Sequence, residues 1–156
     1  MVGFGYDVHK LAEGESLILG GVAIDSEIGT VAHSDGDVLL HSIIDALLGA
    51  AGLGDIGEHY PDTDPKWENA SSVKMAKDIL NLIQSEGYRI VNIDAIIVLE
   101  KPKLSPLKDK IRESIAKIFQ LDYKRVNIKA TTSENMGFVG RKEGIAVHSV
   151  CQIETV

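Results

Sequence analysis

Apolar residues change their spacing several times along this chain, and that switching most narrows the folds open to it. From Val2 to Val8, small or polar residues alternate with apolar ones, and the run ends in Asp7-Val8-His9, which is strand spacing. Leu17-Ile18-Leu19, Gly20-Gly21 and Val22-Ala23-Ile24 predict a hairpin, because paired glycines supply the positive φ of a tight turn. A loop through Gly29 to Gly36 leads to a helix from about Asp37 to Ala51, where Leu40, Ile43, Ile44, Leu47 and Leu48 recur at helical intervals. Gly52 to Pro65 is too rich in Gly, Asp and Pro for a regular element. Ser71 or Ser72 then caps a helix carrying Val73, Ala76, Ile79, Leu80 and Ile83, with Gly87 as its stop. Ile90 to Leu99 predicts a strand. Ser105-Pro106 opens a third helix that turns Leu107, Ile111, Ile115 and Ile118 inward. Val126 to Ala130 and Ile145 to Ile153 predict two further strands, joined by a polar, glycine-rich loop from Thr131 to Arg141. The order predicts an α/β (α+β) fold: a single domain over residues 1–156, with a mixed β-sheet and helices packed on one face.

A chain of 156 residues, 44% hydrophobic and 25% charged, can bury a core as one soluble domain. Its net charge of −7 argues against nucleic acid or an anionic membrane as partner, since both require clustered Lys and Arg. The lone Cys151 lies within the apolar run Ile145 to Ile153 and reads as a buried small hydrophobe, with no intrachain disulfide open to it. A reducing compartment fits, such as the bacterial cytoplasm or, for a mature chain, a plastid stroma. No leader-like segment and no apolar span of membrane length is expected.

The polar residues that break this pattern carry the chemistry. Asp7 and His9 lie two apart on a strand and so project from one face. His41 joins them from the first helix, in a polar stripe with Asp37 and Asp45 four residues to either side, carboxylates of the kind that orient ligand imidazoles. Asp7, His9 and His41 offer three N/O ligands with an open fourth position, which suits zinc or another divalent ion. A solvated stripe and loop capping are the plainer readings of the same residues. Ser34 and the first N–H groups of the helix offer a phosphate site, against simple N-capping by Ser34 or Asp35. Asp55-Ile56-Gly57 and Tyr60-Pro61-Asp62-Thr63-Asp64 suit sugar hydroxyls or ordinary turns. Thr131-Thr132-Ser133-Glu134 suits phosphate, with Glu134 as a ligand for a harder ion, or a plain connection between strands.

Taken together, Asp7-Val8-His9, Ala32-His33-Ser34-Asp35-Gly36-Asp37-Val38 through His41, Gly54-Asp55-Ile56-Gly57, Pro61-Asp62-Thr63-Asp64-Pro65, Lys129-Ala130-Thr131-Thr132 and Gly140-Arg141 resemble the 2-C-methyl-D-erythritol 2,4-cyclodiphosphate synthase family, from Gly3 to Ile153. The resemblance implies a metal-dependent phosphorus–oxygen lyase of the non-mevalonate isoprenoid pathway. In that family the 2-phosphate of 4-diphosphocytidyl-2-C-methyl-D-erythritol 2-phosphate attacks the β-phosphorus, CMP leaves, and the cyclic diphosphate forms. It implies that Asp7, His9 and His41 hold Zn2+, that His33 and Thr132 stabilise the transition state, and that Glu134 helps hold a Mg2+ or Mn2+ bridging the substrate phosphates. Ser34 would join the substrate contacts. Asp55, Ile56 and Gly57 with Tyr60, Pro61, Asp62, Thr63 and Asp64 would hold the methylerythritol phosphate. Leu99, Glu100, Lys101, Pro102, Lys103, Leu104 and Ser105 with Thr131 to Glu134 would form the cytidine and diphosphate region, and Phe138 and Arg141 would complete the contacts. The resemblance also implies a homotrimer with each site between neighbours. The residues alone leave open a zinc-dependent phosphohydrolase and a scaffold with a structural metal.

Overall fold

The computed structural model describes residues Met1–Val156. Its centre is a five-stranded sheet. Strands β1 (Val2–Glu13), β4 (Ile28–Val31), β5 (Tyr88–Val98), β6 (Val126–Thr131) and β7 (Gly144–Thr155) lie in the order β4-β1-β7-β5-β6, while β2 (Leu17–Leu19) and β3 (Val22–Ile24) form a separate hairpin. Only β5 and β6 run parallel, joined through helix α4 (Lys108–Ile118), so the sheet is mixed as expected. Helices α1 (Val38–Ala51) and α3 (Ser72–Ser85) complete the core, a cluster of 36 buried residues. No helix is long and apolar enough to cross a membrane.

Three segments depart from the expected elements. The loop expected from Gly29 contains the edge strand β4, which pairs with Lys10–Glu13, so β1 runs on past Val8. A four-residue edge strand acquires its identity from its partner, and its own spacing is too short to announce it. Gly52 to Pro65 holds a one-turn helix, α2 (Ile56–His59), and a 3-10 turn follows at Pro65–Trp67. The aspartates that make this stretch look broken are the caps of those turns. Asp55 accepts the Glu58 N–H at 3.0 Å and Asp64 the Lys66 N–H at 3.0 Å. The loop after β6 likewise contains a single turn, α5 (Gly137–Gly140). Pro106 lies in a 3-10 turn, Ser105–Leu107, that feeds α4. Of the two serines, Ser71 is the one that caps α3.

Close packing of α1 on β1 fixes how the two elements lie against each other. Gly3 and Gly5 face the helix, and a Cβ at these positions would lie 1.8 Å from Ala46 O and 1.9 Å from Ser42 O. Glycine is therefore required for the helix backbone to touch the strand. Four helical residues rise about 6 Å and two strand residues nearly 7 Å, so the two elements step together. Carrying the match one step beyond Ala46 over Gly3 and Ser42 over Gly5 brings the first turn of α1 to Asp7. The alternate residues of β1, among them Phe4, Tyr6 and Val8, point to the other side and remain exposed.

Candidate active site

That stepping delivers His41 to Asp7 and His9. Asp7 Oδ2 lies 3.2 Å from His9 Nδ1 and 3.3 Å from His41 Nδ1. Its other oxygen accepts the Val8 N–H at 2.9 Å, which turns Oδ2 toward the imidazoles. The three ligand atoms lie within 4.8 Å of one another, and no other group of His, Cys, Asp or Glu gathers in this way. In a tetrahedral site with bonds near 2.0–2.1 Å, neighbouring ligand atoms stand about 3.3 Å apart. The two edges from Asp7 Oδ2 match that spacing. Asp7 Oδ2 and His9 Nδ1 are also buried without a hydrogen-bond partner. Orphaned buried polar atoms are costly, and a shared divalent cation would satisfy both. Burial pushes the Asp7 carboxyl up, but the imidazoles of His41 and His9 beside it outweigh that and hold the group at about 2. The residues fit a divalent ion.

The carboxylates four residues from His41 do not orient it. Asp37 is the buried N-cap of α1 and accepts N–H groups from Leu40, Gly20 and Gly21 at 3.0, 2.9 and 2.7 Å. Its carboxylate thereby caps the end of α1 and ties the β2–β3 turn to it. Asp45 accepts the Ile56 N–H at 3.1 Å and holds the start of α2. The expected stripe is thus structural at both ends.

A cleft of about 360 Å3 opens beside the three ligands. His33 and Ser34 line it, as do Ile56, Gly57, Tyr60 and Asp62 from the Asp-rich segment. Asp55, Pro61, Thr63 and Asp64 shape that segment from outside the lining. Trp67 and Met75 form an apolar wall that the sequence reading did not single out. Trp67 meets the Tyr60 ring edge-on at 4.8 Å, and burial, with the Asp78 charge, pushes the Tyr60 hydroxyl up to about 12. The chain's sole tryptophan, shortly after a Pro-Asp-Thr-Asp-Pro segment, was the available signal.

The remaining expected residues lie elsewhere. A second cleft, of about 450 Å3, is lined by Leu99 to Ser105 together with Ala130, Thr131 and Thr132 at the ends of β5 and β6. The two clefts share no lining residue: His33 lines the first and Thr132 the second. Glu100 accepts the Ser133 N–H at 2.8 Å and fixes the loop after β6. Glu134 is exposed, with a left-handed φ of 54°. Arg141 pairs with Glu143 at 3.0 Å, and the Phe138 ring packs over Gly144. Neither Phe138 nor Arg141 lines either cleft.

Comparison with known proteins gives one answer over nearly the whole chain. The model of the YgbB family matches residues 1–154. A 2-C-methyl-D-erythritol 2,4-cyclodiphosphate synthase of Chlorobaculum tepidum is 52% identical over 153 residues, 98% of this chain and 98% of its own. The solved structure of a bifunctional enzyme, IspDF from Campylobacter jejuni, superposes with a TM-score of 0.96 at 48% identity, covering 99% of this chain and 42% of that one. A solved 2C-methyl-D-erythritol-2,4-cyclodiphosphate synthase in its CDP-bound form superposes with a TM-score of 0.91 at 34% identity, covering 99% of this chain and 100% of that one. This chain belongs to the YgbB family, the family of the cyclodiphosphate synthases it matches.

Proposed function

We propose that this chain is a lyase of the non-mevalonate isoprenoid pathway that closes 4-diphosphocytidyl-2-C-methyl-D-erythritol 2-phosphate to 2-C-methyl-D-erythritol 2,4-cyclodiphosphate and releases CMP. The observation that carries the reading is the Asp7–His9–His41 cluster, with its orphaned oxygen and nitrogen, at the wall of an open cleft. Asp7, His9 and His41 would hold a divalent ion, zinc by the chemistry of these N/O ligands, which would supply positive charge to offset the repulsion between the diphosphate and the incoming phosphate. The chain's own groups do the rest by placement. Ile56, Gly57, Tyr60 and Asp62 form a floor that would seat the methylerythritol phosphate, so that its 2-phosphate approaches the β-phosphorus as an intramolecular nucleophile. His33 faces the same space and would donate to the charge that builds on the transferring phosphoryl group.

The second cleft would take the cytidine diphosphate part, with Thr132 beside it and Glu134 contributing to a Mg2+ or Mn2+ between the phosphates. CDP is bound by relatives of the same fold. Two features support a homotrimer whose sites lie between neighbours. One is the separation of the clefts within a chain. The other is the exposed apolar face of the sheet, where Phe4 is 62% and Tyr6 46% exposed and Val150 of β7 joins them. Both are accounted for if that face packs on neighbours and brings Thr132 of one subunit to His33 of the next.

Incubation with the cytidylyl substrate, with and without a strong chelator, tests the reading. Equal amounts of CMP and cyclic diphosphate are expected, lost on chelation and restored by Zn2+. Linear phosphates in place of the cyclic product would make the protein a phosphohydrolase.

A further inference from the structure

His41 uses both of its ring nitrogens. Nδ1 faces Asp7, while Nε2 points the other way, 2.8 Å from Ser72 Oγ at the start of α3 and 3.3 Å from Ser34 Oγ. Ser72 is fully buried, and its hydroxyl hydrogen is committed, because Oγ donates to Asp35 Oδ1 in a short contact. Both oxygens of Asp35 act as acceptors for backbone groups as well. Oδ2 takes the Ser72 N–H at 2.9 Å and Oδ1 the Asp37 N–H at 3.2 Å. A hydroxyl has one hydrogen to give. With that hydrogen on Asp35, Ser72 Oγ meets His41 as an acceptor, so Nε2 carries the imidazole proton. Neutral His41 then has its lone pair at Nδ1, directed at a carboxylate oxygen 3.3 Å away. Two lone pairs so placed repel each other unless a cation lies between them.

We propose that Ser72 and Asp35 are positioning residues for His41, a hydroxyl-relayed pair that fixes the Nε2–H tautomer and presents Nδ1 as a metal ligand. The proposal rests on reading Asp7, His9 and His41 as a cation site. Ligand imidazoles usually donate their second N–H directly to a carboxylate, carbonyl or water that fixes the tautomer. Here Asp37 and Asp45 are spent on backbone groups, and a serine from another helix passes the constraint on to Asp35. The same junction steadies the cleft. Asp35 N–H donates to Ala70 O at 3.2 Å and Asn69 N–H to His33 O at 2.8 Å, so the loop carrying His33 and Ser34 is stitched to the residues that lead into α3. Ligand orientation and loop position therefore depend on one set of bonds.

Long-range 1H–15N correlation spectra of the wild-type chain, recorded metal-free and zinc-loaded at a pH where imidazole is neutral, read the tautomer without any substitution. A proton on Nε2 of His41 in both states is expected, and a neutral His41 protonated at Nδ1 overturns the proposal. Zinc affinity, measured by competition with a chromophoric chelator, reads the consequence. Ser72→Ala and Asp35→Ala are each expected to weaken it roughly 10–100-fold and to give mixed His41 tautomers, beyond any fall in melting temperature. If His41→Ala abolishes zinc binding while Ser72→Ala leaves it within about twofold of wild type, the relay fails and the cation site stands. If His41→Ala binds zinc as tightly as wild type, the cation-site reading fails and the relay falls with it.

Discussion

The two clefts differ in how complete each is within one chain. At the β1–α1 junction, three ligand atoms converge within 4.8 Å, carried by backbone segments so close that only glycine fits between them. At the β5–β6 end, the polar groups are engaged with one another: Glu100 with Ser133, and Thr131 Oγ1 with the Thr132 carbonyl. A metal site has to be exact to a few tenths of an ångström, which favours building it from a single rigid unit. A nucleotide region works through shallow polar contacts and can be offered by a different body. The contrast teaches that exacting ligand geometry is built from one rigid strand–helix unit, while the second cleft is held by polar bonds within its own loops.

The hardest test of that contrast removes a ligand. His41→Ala is expected to lower the rate of CMP release roughly a thousandfold, since charge stabilisation by such an ion amounts to several kcal/mol. CDP affinity, measured by calorimetry, is expected to stay near wild type because the second cleft is untouched. Equal loss of both would erase the distinction between the clefts. Next in size is Gly5→Ala. The added methyl would sit 1.9 Å from Ser42 O, where backbone rather than a flexible side chain must yield. A destabilisation on the order of 3 kcal/mol is expected in urea unfolding, together with weaker zinc binding as α1 is pushed off β1. A Gly5→Ala protein as stable as wild type would mean that the helix–strand contact does not set the ligand geometry.

Mixing experiments probe the other side of the comparison. His33→Ala and Thr132→Ala proteins are each expected to be nearly inactive. If the two residues meet across a trimer interface, every mixed trimer regains one intact site in three. Equal parts unfolded and refolded together would then recover about a quarter of wild-type activity, because three-quarters of the trimers are mixed. No recovery from a mixture shown by mass spectrometry to contain mixed trimers would place both residues in the same subunit's site.

How far the sequence reveals these regions depends on where the information is stored. Alternating Gly3, Gly5, Asp7 and His9 on β1 and the helical spacing through Leu48 are local patterns, and they point to the strand, the helix and the three clustered side chains. Ser72 was visible only as a capping candidate, because its contacts to His41 and Asp35 span 31 and 37 residues. The strand Ile28–Val31 was invisible for a related reason, since its pairing partner defines it. The position of Asp37 four residues before His41 suggested a supporting carboxylate, whereas its bonds run to the Gly20–Gly21 turn. Only the fold sets Trp67 and Met75 in the cleft wall.

The smallest expected effect lies in the loop after β6. Glu100 is half-buried, and its Oε1 accepts the backbone N–H of Ser133 at 2.8 Å. Nothing else in the β5 end reaches across to this loop with a charged acceptor, so the carboxylate sets how Thr131 to Glu134 lie against the second cleft. Ser133 is also held locally, its hydroxyl donating to Met136 O at 2.6 Å, which limits how far the loop can drift when Glu100 is lost. Glu100→Ala should therefore cost only about 1 kcal/mol of loop ordering, seen as a roughly fivefold rise in KM with kcat little changed. Glu100→Gln retains the accepting oxygen and should lie close to wild type. Because the metal cleft is separate, zinc affinity should not move in either variant. A fall in kcat without a change in KM would instead tie this loop to the chemical step, and the division between a precise catalytic cleft and a permissive capture cleft would have to be redrawn at Thr132.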